Sequence, residues 1–331
     1  MNDEALMRRA LELAERGRYS VSPNPMVGCV IARDGAVLAE GWHQRAGEAH
    51  AEIEALHRCD DARGATIVVT LEPCAHHGRT GPCVDALIAA GVKRVVVAMR
   101  DPHNVASGGV EKLRDHGIEV TEGVLEDEAR RLNEKFVHFV THERPFVIVK
   151  AAMTLDGKLA TVERDSQWIT SDAARERSLA LREEADAIIV GGGTVRDDDP
   201  RLTRRLGWNT SIQPWLRVIL DRDRAVPPTA RVLTDGGKTL HVTDDVPLET
   251  MLANLNVQSV IVEGGALVLA QFIEQRLWQK MIVFVAPMIV GGGSAPSIYA
   301  GDPVRKLTDA HRLRFDRVEM VGPDLMITAY P

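Results

Sequence analysis

The sequence predicts a chain of two α/β domains. Its 331 residues exceed what one hydrophobic core usually serves, so two domains of about 150 residues each are expected. Strand and helix patterns alternate in both halves, which is typical of sheets whose parallel strands are joined through helices. A polar stretch at residues 141–145 ends in proline and precedes an apolar run. It places the boundary between residues 1–143 and 144–331.

The first half combines a hairpin with strands that are connected by helices. Residues 4–16 carry apolar side chains at helical spacing. Apolar runs at 27–32 and 36–40 flank Asp34-Gly35, a pair that favours a tight hairpin turn. The remaining pattern predicts helices at 50–58, 82–90, 110–116 and 126–139 and strands at 66–70, 94–99 and 118–121. Because these strands are joined through helices, we expect them to pair in parallel.

The second half again alternates strands and helices. The pattern predicts strands at 146–152, 187–190, 217–221, 259–262 and 280–286 and helices at 172–184 and 266–276. Residues 201–214 are weakly patterned and receive no assignment. Glycine-rich turns at 191–193, 264–265 and 291–293 follow three of the strands. Such turns let backbone N–H groups approach a dinucleotide, although none spells G-x-G-x-x-G and each could be a simple turn.

Composition narrows the class of function. Hydrophobic residues make up 45% and charged residues 26%, as in an ordinary globular enzyme, and the net charge of −7 gives no general attraction for nucleic acid or anionic lipid. The charged N-terminal segment and the lack of a long apolar run indicate neither export nor membrane insertion. We therefore expect a cytoplasmic protein. Four cysteines in a chain of this size do not suggest a disulfide scaffold, and in that reducing compartment clustered thiols are better explained as metal ligands.

One imidazole and two thiols have the character of a zinc site. His50 precedes a predicted strand, Cys74 follows it, and Cys83 comes after eight further residues. These ligands suit tetrahedral Zn²⁺, and a set of three leaves the fourth position for water, as in catalytic sites. Bound Zn²⁺ lowers the pKa of that water towards neutrality, so that hydroxide becomes available.

Glu52 is the candidate proton shuttle beside this zinc. Residues two apart in a helix point to nearly opposite sides, so His50 and Glu52 can share a site only where a helix begins. The helical pattern indeed starts after Ala49. Pro82 similarly suits the start of a helix, which places Cys83 in a first turn that favours thiolate.

Simpler interpretations remain open at this point. Any one of these residues could be an unrelated polar or small apolar side chain, and we assign neither Cys29, inside a strand, nor Cys59, at a helix end, to metal. The set nevertheless has the arrangement of zinc nucleobase deaminases, whose usual form has only two residues between the cysteines. A purely structural zinc site would need a fourth protein ligand, for which His76 and His77 are available.

Longer motifs give the first half a specific resemblance. Residues 23–28 read PNPMVG, 50–52 read HAE and 70–83 read TLEPCAHHGRTGPC. These motifs closely resemble the bifunctional pyrimidine deaminase/reductase family of riboflavin biosynthesis, which has a cytidine-deaminase-like α/β/α domain at its N-terminus. The resemblance implies that zinc binds His50, Cys74 and Cys83 and that Glu52 shuttles protons. It also implies that Asn24 contacts the pyrimidine and that His76 and Arg79 face the substrate and its phosphate. The family usually reads Asp-Pro-Asn-Pro where this chain has His103-Asn104 after Asp101-Pro102, so any substrate contact there is left unassigned.

The resemblance extends over the second half. Residues 150–158 read KAAMTLDGK, 166–170 read SQWIT, 193–200 read GTVRDDDP and 262–265 read VEGG, and these are similar to the dihydrofolate-reductase-like α/β domain of the same family. Carried over position by position, the resemblance implies NADPH contacts at Met153, Trp168, Thr194, Asp198, Gly265, Ala266, Leu267, Val268, Leu269, Ala270 and Gln271. It implies contacts with the ribosyl phosphate at Ser166, Arg182, Leu202, Arg205 and Glu263. Guanidinium groups suit a phosphate because they can bind it in a bidentate manner. Lys150 is left without a defined role.

The family resemblance implies a two-step activity. Zinc-dependent hydrolytic deamination of 2,5-diamino-6-ribosylamino-4-pyrimidinone 5'-phosphate would be followed by NADPH reduction of the ribosyl chain to ribityl. The partners would be this small pyrimidine and further copies of the chain in a dimer or tetramer. One alternative is a deaminase of another base with a regulatory nucleotide-binding domain. Another is a nucleic-acid-binding module, but the chain is acidic and only 4% aromatic.

Overall fold

Each of the two units into which the chain divides is built around its own β-sheet. The computed structural model describes residues 1–76, 81–103 and 107–331. The first unit contains Met1–Glu143 together with Asn209–Gln213, and the second contains Arg144–Trp208 and Pro214–Pro331. Within the described part of the chain, a search for helices with the length and apolar character of a bilayer span finds none.

The first unit is a five-stranded sheet in the order β2-β1-β3-β4-β5. β1 pairs antiparallel with β2 and with β3, whereas β3, β4 and β5 are parallel. The strands are β1 (Gly28–Arg33), β2 (Ala36–Trp42), β3 (Thr66–Leu71), β4 (Arg94–Met99) and β5 (Glu119–Glu122). The helices are α1 (Asp3–Ala14), α2 (Ala51–His57), α3 (Cys83–Ala89), α4 (Gly109–Asp115), α5 (Glu126–Leu132) and α6 (Glu134–His142), with a 3₁₀ turn at Glu15–Gly17. The predicted hairpin and the predicted parallel pairing are both confirmed.

The hairpin turn has the backbone that its residues suggested. Asp34 and Gly35 have φ angles of 52° and 79°, so both central residues lie in the left-handed region. A two-residue turn of this kind matches the twist of the strands on either side. Asp and Gly are among the residues that accept such angles at low cost, which is why the pair marks the turn in the sequence.

The prediction of one continuous helix over residues 126–139 is wrong. The chain forms two helices, α5 and α6, which meet at Asn133. The Asn133 side chain is buried and makes a pair of hydrogen bonds with the backbone of Met26, accepting from its N–H and donating to its carbonyl, each at 2.8 Å. These contacts fix Asn133 at φ −103° and ψ 23°, outside helical values. A partner more than a hundred residues away therefore ends the helix.

The second unit is an eight-stranded mixed sheet in the order β12-β13-β11-β6-β10-β7-β8-β9. Its five pairs from β11 to β9 are parallel, whereas β12/β13 and β13/β11 are antiparallel. The strands are β6 (Phe146–Thr154), β7 (Ala187–Gly191), β8 (Leu216–Leu220), β9 (Thr239–Val242), β10 (Ser259–Glu263), β11 (Lys280–Ala286), β12 (Arg314–Val321) and β13 (Asp324–Tyr330). The helices are α7 (Asp172–Glu183), α8 (Gly192–Asp198), α9 (Arg231–Thr234), α10 (Leu248–Ala253) and α11 (Ala266–Glu274), with a 3₁₀ turn at Leu307–Asp309.

Sequence patterns missed part of this second unit. The strands β9, β12 and β13 and the short helices α8, α9 and α10 were not predicted. β12 is an edge strand whose apolar residues Phe315, Val318 and Met320 are exposed and interspersed with charged residues. No clean alternation of buried and exposed positions marks such a strand. Among the strands of the described residues β12 pairs with β13 alone, so its place in the sheet is evident only in the folded chain.

Both folds direct side chains to the carboxyl ends of their parallel strands. In the first unit, Glu72 and Cys74 follow β3 and Asp101 follows β4. In the second unit, Asp221 follows β8, and the Gly264-Gly265 turn follows β10 and leads into α11. Ligands in open α/β sheets generally bind at this edge. The two sheets thus each define one place to look for a site.

Helix α1 lies directly on strand β1 at Gly28. A Cβ atom at this position would lie 2.0 Å from the Ala10 carbonyl oxygen and 2.8 Å from the Ala14 nitrogen, both of them backbone atoms. Backbone cannot give way as the end of a flexible side chain can. Gly28 therefore permits the close approach that buries Met7, Ala10 and Leu13 in the first core.

We predict that Gly28→Ala destabilises the first unit by about 1–3 kcal/mol or more, because the new methyl group has no space. Chemical unfolding of the zinc-loaded protein measures the loss. Gly81→Ala is the control, since no atom of the described residues lies within 4 Å of a Cβ there and its φ is not left-handed. Equal stability of the two variants would contradict the packing described for α1.

Candidate functional site

Three potential metal ligands meet at one place in the first unit. His50, Cys74 and Cys83 offer ligand atoms that all lie within 4.8 Å of one another. His50 Nδ1 lies 3.2 Å from the Cys83 sulfur and 3.6 Å from the Cys74 sulfur. The structure therefore brings together the three residues that the sequence singled out as zinc ligands.

The local backbone explains how these ligands converge. His50 has extended backbone angles, φ −72° and ψ 162°, and α2 begins at the next residue. Cys83 is the first residue of α3, which confirms its predicted place in the first turn of a helix. Its backbone N–H donates a hydrogen bond to the Cys74 sulfur at 3.4 Å. Cys74 lies in the loop after β3. All three ligands thus project from the ends of elements rather than from their interiors.

The donor set fits Zn²⁺. A hydrogen bond from the Cys83 thiol, together with one from His50, lowers the pKa of Cys74, whereas the same thiol contact raises the pKa of Cys83. One thiolate is thus favoured even without metal, and a cation would stabilise the second. Among the described residues, the group comprises three ligands and His76 is not one of them. His77 lies outside the described residues. A set of one nitrogen and two sulfurs leaves room for water on tetrahedral zinc.

Glu52 lies in the first turn of α2, two residues after His50. Its side chain is buried, and this burial raises the pKa of the carboxyl group to about 7, against the opposing effect of His50. A group that titrates near neutrality can both take up and release a proton. The structure confirms that α2 starts between His50 and Glu52, which is the condition for the two to share a site.

A cavity of about 450 Å³ opens beside these residues. The predicted site residues that line it are Asn24, His50, Glu52, Cys74 and His76. The Nδ1 atom of His76 is buried and has no hydrogen-bond partner within the described structure, so it is available to a ligand. Arg79 was also predicted to meet the substrate, but it lies outside the described residues, as does Asn104.

Sequence reasoning missed further residues of this cavity. His43, Glu48, Glu72, Asp101 and Phe136 also line it. Glu72 and Asp101 could have been found from their places directly after parallel strands, where ligand-binding residues concentrate. No local sequence pattern distinguishes His43, because its role depends on hydrogen bonds to residues that the fold brings close to it.

Glu72 supports the loop around the cavity. Its buried carboxylate accepts hydrogen bonds from the backbone N–H groups of Asp101, Gly108 and Val110 at 3.1–3.2 Å. The carboxylate thereby joins the segment after β3, which carries Cys74, to the segment that leads into α4. Hydrogen bonds from three N–H groups also satisfy a charge that would otherwise be costly to bury.

The second unit contains a larger cleft, of about 1530 Å³. The predicted residues that line it are Ser166, Trp168, Arg182, Thr194, Asp198, Leu202, Arg205, Glu263, Gly265, Ala266, Leu267, Val268 and Gln271. Met153, Leu269 and Ala270 are not among the lining residues. Leu269 and Ala270 are buried, with Leu269 in the hydrophobic core. Six of the seven residues from 265 to 271 lie in helix α11, which presents only part of its surface to one side, and this explains the division.

Glu263 lies at the centre of a charged cluster in this cleft. Arg182 donates to both of its carboxylate oxygens, at 2.8 Å and 3.0 Å, and Lys150 lies 3.4 Å away. Burial by itself would raise the pKa of Glu263, but the two cations outweigh it and hold the pKa at about 2. These hydrogen bonds engage two of the three Arg182 guanidinium nitrogens with Glu263. The side chain of Arg205 is exposed to solvent. Lys150 gains a defined contact that the sequence did not provide.

An exposed indole and a buried carboxylate mark other parts of the cleft. Trp168 is 65% exposed, so it is not a core residue, and the Arg175 guanidinium lies 4.6 Å from its ring centroid. Asp221 was not predicted as a site residue. Its buried carboxylate accepts hydrogen bonds from the backbone of Ala225 and Val226 and contacts His241 at 2.8 Å. It lies at the carboxyl end of β8, a position that could have drawn attention to it.

Comparison with known proteins gives matches over both units. Residues 1–99 match the family profile of the cytidine and deoxycytidylate deaminase zinc-binding region, and residues 145–327 match that of the RibD C-terminal domain. The riboflavin biosynthesis protein RibD of Aquifex aeolicus is 42% identical over 98% of this chain and 97% of its own length. RibD of Escherichia coli is 38% identical over 99% of each chain.

Solved structures agree with these matches. RibD of Acinetobacter baumannii superimposes with a TM-score of 0.90 at 38% identity, covering 99% of this chain and 98% of its own. A diaminohydroxyphosphoribosylaminopyrimidine deaminase/5-amino-6-(5-phosphoribosylamino)uracil reductase from Thermotoga maritima gives the same values. The predicted fold class, a cytidine-deaminase-like domain followed by a dihydrofolate-reductase-like domain, is thereby confirmed.

We predict that Cys74→Ser abolishes stoichiometric zinc binding, because a neutral hydroxyl replaces one of the two thiolates. Elemental analysis of the purified protein measures the metal. Cys59→Ser is the matched control, since Cys59 is a free thiol outside the ligand group. Full zinc content in the Cys74 variant, or its loss in the Cys59 variant, would contradict the assignment.

We predict that Arg182→Ala destabilises the second unit by about 3–5 kcal/mol, because it leaves the Glu263 carboxylate, whose side chain is only 12% exposed, without its main partner. Urea unfolding measures the difference from the wild type, and Arg205→Ala, at an exposed position, should stay within about 0.5 kcal/mol.

The same contact predicts a dependence on pH. The pKa of Glu263 is depressed from 4.5 to about 2, so its contribution is complete above pH 4.5 and is lost as the pH falls through 2. The difference in the free energy of unfolding between wild type and Arg182→Ala should decrease over that pH range. A difference that is constant from pH 7 to pH 2, or absent throughout, would contradict the role given to the ion pair.

Proposed function

The chain belongs to the RibD family of bifunctional deaminase/reductases of riboflavin biosynthesis, and from this premise we propose a substrate and a role for each site residue. The substrate is 2,5-diamino-6-ribosylamino-4-pyrimidinone 5'-phosphate, which is first deaminated and then reduced. The observation that carries the proposal is the cluster of one imidazole and two thiols beside the buried Glu52 on a cavity. We assign deamination to residues 1–143 and reduction to residues 144–331.

In the deamination step, His50, Cys74 and Cys83 hold Zn²⁺ and Glu52 moves protons. Bound Zn²⁺ lowers the pKa of a water molecule and so makes it a nucleophile near neutral pH. With zinc bound, Glu52 would take a proton from the attacking water and return it to the substrate. The carbon that carries the exocyclic amine would gain a bond to the water oxygen and lose its bond to nitrogen. One water proton would leave with this nitrogen as ammonia, and the other would remain on the ring as N–H. A carboxyl group with a pKa near 7 suits both halves of this transfer.

The remaining deaminase residues bind and orient the substrate. Asn24 contacts the pyrimidine, and His76 and Arg79 meet the substrate and its phosphate. The Nδ1 atom of His76, which has no hydrogen-bond partner among the described residues and lies on the cavity, supports its part in this assignment. A cavity of about 450 Å³ is within the range of small-molecule sites.

In the reduction step, the cleft of the second unit binds NADPH and the deaminated ribosyl phosphate together. When bound, NADPH would supply the hydride for the ribose C1' carbon, and a proton taken up by the released ring oxygen would complete the opening of the sugar to a ribityl chain. The cofactor-binding residues proposed are Met153, Trp168, Thr194, Asp198 and the segment 265–271. The substrate-binding residues proposed are Ser166, Arg182, Leu202, Arg205 and Glu263. Arg205 is exposed on the cleft, which supports a phosphate contact.

Two broader proposals concern the setting of the protein. We propose a cytoplasmic location, since the two thiol ligands need a reducing compartment to remain available to metal. We also propose a homo-oligomer, dimer or tetramer. The exposed apolar residues of the edge strand β12, Phe315, Val318 and Met320, support burial against another chain.

We predict that Glu52→Gln abolishes ammonia release from the pyrimidine, because an amide cannot relay protons. Zinc content should be retained, and so should NADPH oxidation when the deaminated substrate is supplied. Ammonia release, metal analysis and absorbance of NADPH measure the three outcomes.

Glu54→Gln is the matched control for this variant. Glu54 lies on the same helix, where it pairs with Arg58 instead of the zinc cluster, and its replacement should leave both activities intact. Loss of both activities in Glu52→Gln would count against separate sites. A wild-type protein that releases ammonia but never oxidises NADPH would favour a deaminase with a regulatory second domain.

A further inference from the structure

We propose that His43 is a positioning residue that fixes the amide of Asn24 with its carbonyl oxygen towards the pyrimidine. The deaminase cavity then requires a hydrogen-bond donor on the substrate edge that faces Asn24. The identity of this substrate rests on the proposed function above, whereas the orientation of the amide does not. Both residues line the cavity next to His50 and Glu52.

Both ring nitrogens of His43 have a partner. Nδ1 lies 3.0 Å from the Ala49 carbonyl oxygen, and Nε2 lies 3.0 Å from the Asn24 side-chain nitrogen. The residue is only 3% exposed, and its backbone N–H donates to the Val27 carbonyl at 2.9 Å. The ring therefore has one defined place between two fixed neighbours.

The partner at Nδ1 decides which nitrogen carries the proton. A carbonyl oxygen can only accept, so Nδ1 must be the donor of that hydrogen bond. In a neutral imidazole the other nitrogen is then an acceptor. The ring is buried, and burial disfavours the charged imidazolium, so the neutral form is expected here. Its Nε2 lone pair faces the Asn24 side chain.

This lone pair in turn determines the orientation of Asn24. Only the NH₂ group can donate to Nε2, because the reverse orientation would place the amide oxygen against a lone pair. The carbonyl oxygen, Oδ1, must therefore point away from His43. It has no hydrogen-bond partner in the part of the chain that the structure describes. The backbone N–H of Asn24 donates to Val21 at 2.7 Å, which holds the residue in place.

An oriented acceptor in a cavity selects for a donor. An amino group or a ring N–H of the pyrimidine can pair with Oδ1, whereas an analogue without such a group leaves this oxygen unsatisfied. Sites built around a hydrogen bond reject such analogues far more strongly than apolar pockets reject a missing methyl group. The contact at Ala49 adds a second effect, since Ala49 directly precedes the metal ligand His50. The chain from Asn24 through His43 to Ala49 thus sets the position of the substrate edge relative to the metal.

The tautomer can be measured without any substrate. Two-bond ¹H–¹⁵N correlation of the zinc-loaded, ¹⁵N-histidine-labelled protein reports which ring nitrogen is protonated, and the signal that disappears in His43→Gln identifies His43. The proposal requires a neutral ring with the proton on Nδ1. A proton on Nε2, or on both nitrogens, would overturn it, because Asn24 would then turn its oxygen towards His43.

A second experiment uses two variants that each keep one end of the ring. His43→Gln can place an acceptor near the former Nε2 position, and His43→Asn can place a donor near the former Nδ1 position only. We expect His43→Asn to raise the deaminase KM for the pyrimidine about tenfold. His43→Gln should stay within about threefold of the wild type. Zinc content and NADPH oxidation with the deaminated substrate should be unchanged in both.

The pairing is tested by a double-mutant cycle with Asn24→Ala. If His43 acts through Asn24, His43→Asn adds nothing to the KM of the Asn24→Ala protein. Additive effects, or loss of zinc in His43→Asn, would show that His43 acts elsewhere and would overturn the proposal. A wild-type protein that releases no ammonia from this pyrimidine would instead refute the proposed function. In that case the tautomer measurement still decides the orientation of Asn24.

Discussion

The convergence of one imidazole and two thiols on a single point is the constraint on which the first unit depends. Each ligand lies where an element begins or where a loop leaves the sheet: His50 before α2, Cys74 after β3 and Cys83 at the start of α3. Because α2 starts after His50, Glu52 can face the same cavity although it is only two residues away. The helix start thereby brings a metal ligand and a proton carrier together.

In the second unit, ion pairs instead of a metal hold the polar groups of the site in place. Glu263 is largely shielded from solvent at the end of β10, where Arg182 and Lys150 keep it ionised. A buried carboxylate without such partners would take up a proton or destabilise the fold. The arrangement holds three charged groups in fixed places in the cleft while Arg205 remains exposed to solvent. In both units the end of a parallel strand supplies the site, as expected for open α/β sheets.

How far the sequence leads depends on whether a feature is local. The hairpin at Asp34-Gly35 and the start of α2 were predictable, because the turn angles and the helix boundary are set by neighbouring residues. The break at Asn133 was not, since it depends on Met26, and the edge strand β12 shows no clean alternation of apolar residues. The same distinction holds in the site. The zinc ligands stand in short motifs, whereas the hydrogen bonds of His43 and Glu72 join segments that only the fold brings together.

X-ray absorption at the zinc edge of the purified protein measures the coordination of the metal. We predict a four-coordinate zinc with two sulfur ligands at about 2.3 Å and two lighter ligands at about 2.0–2.1 Å. The multiple-scattering signal should correspond to a single imidazole. One of the two lighter ligands is then His50, and the other is water. A third sulfur or a second imidazole on the metal would close the coordination shell with protein atoms. Such a shell would leave no position for a reacting water and would contradict the account.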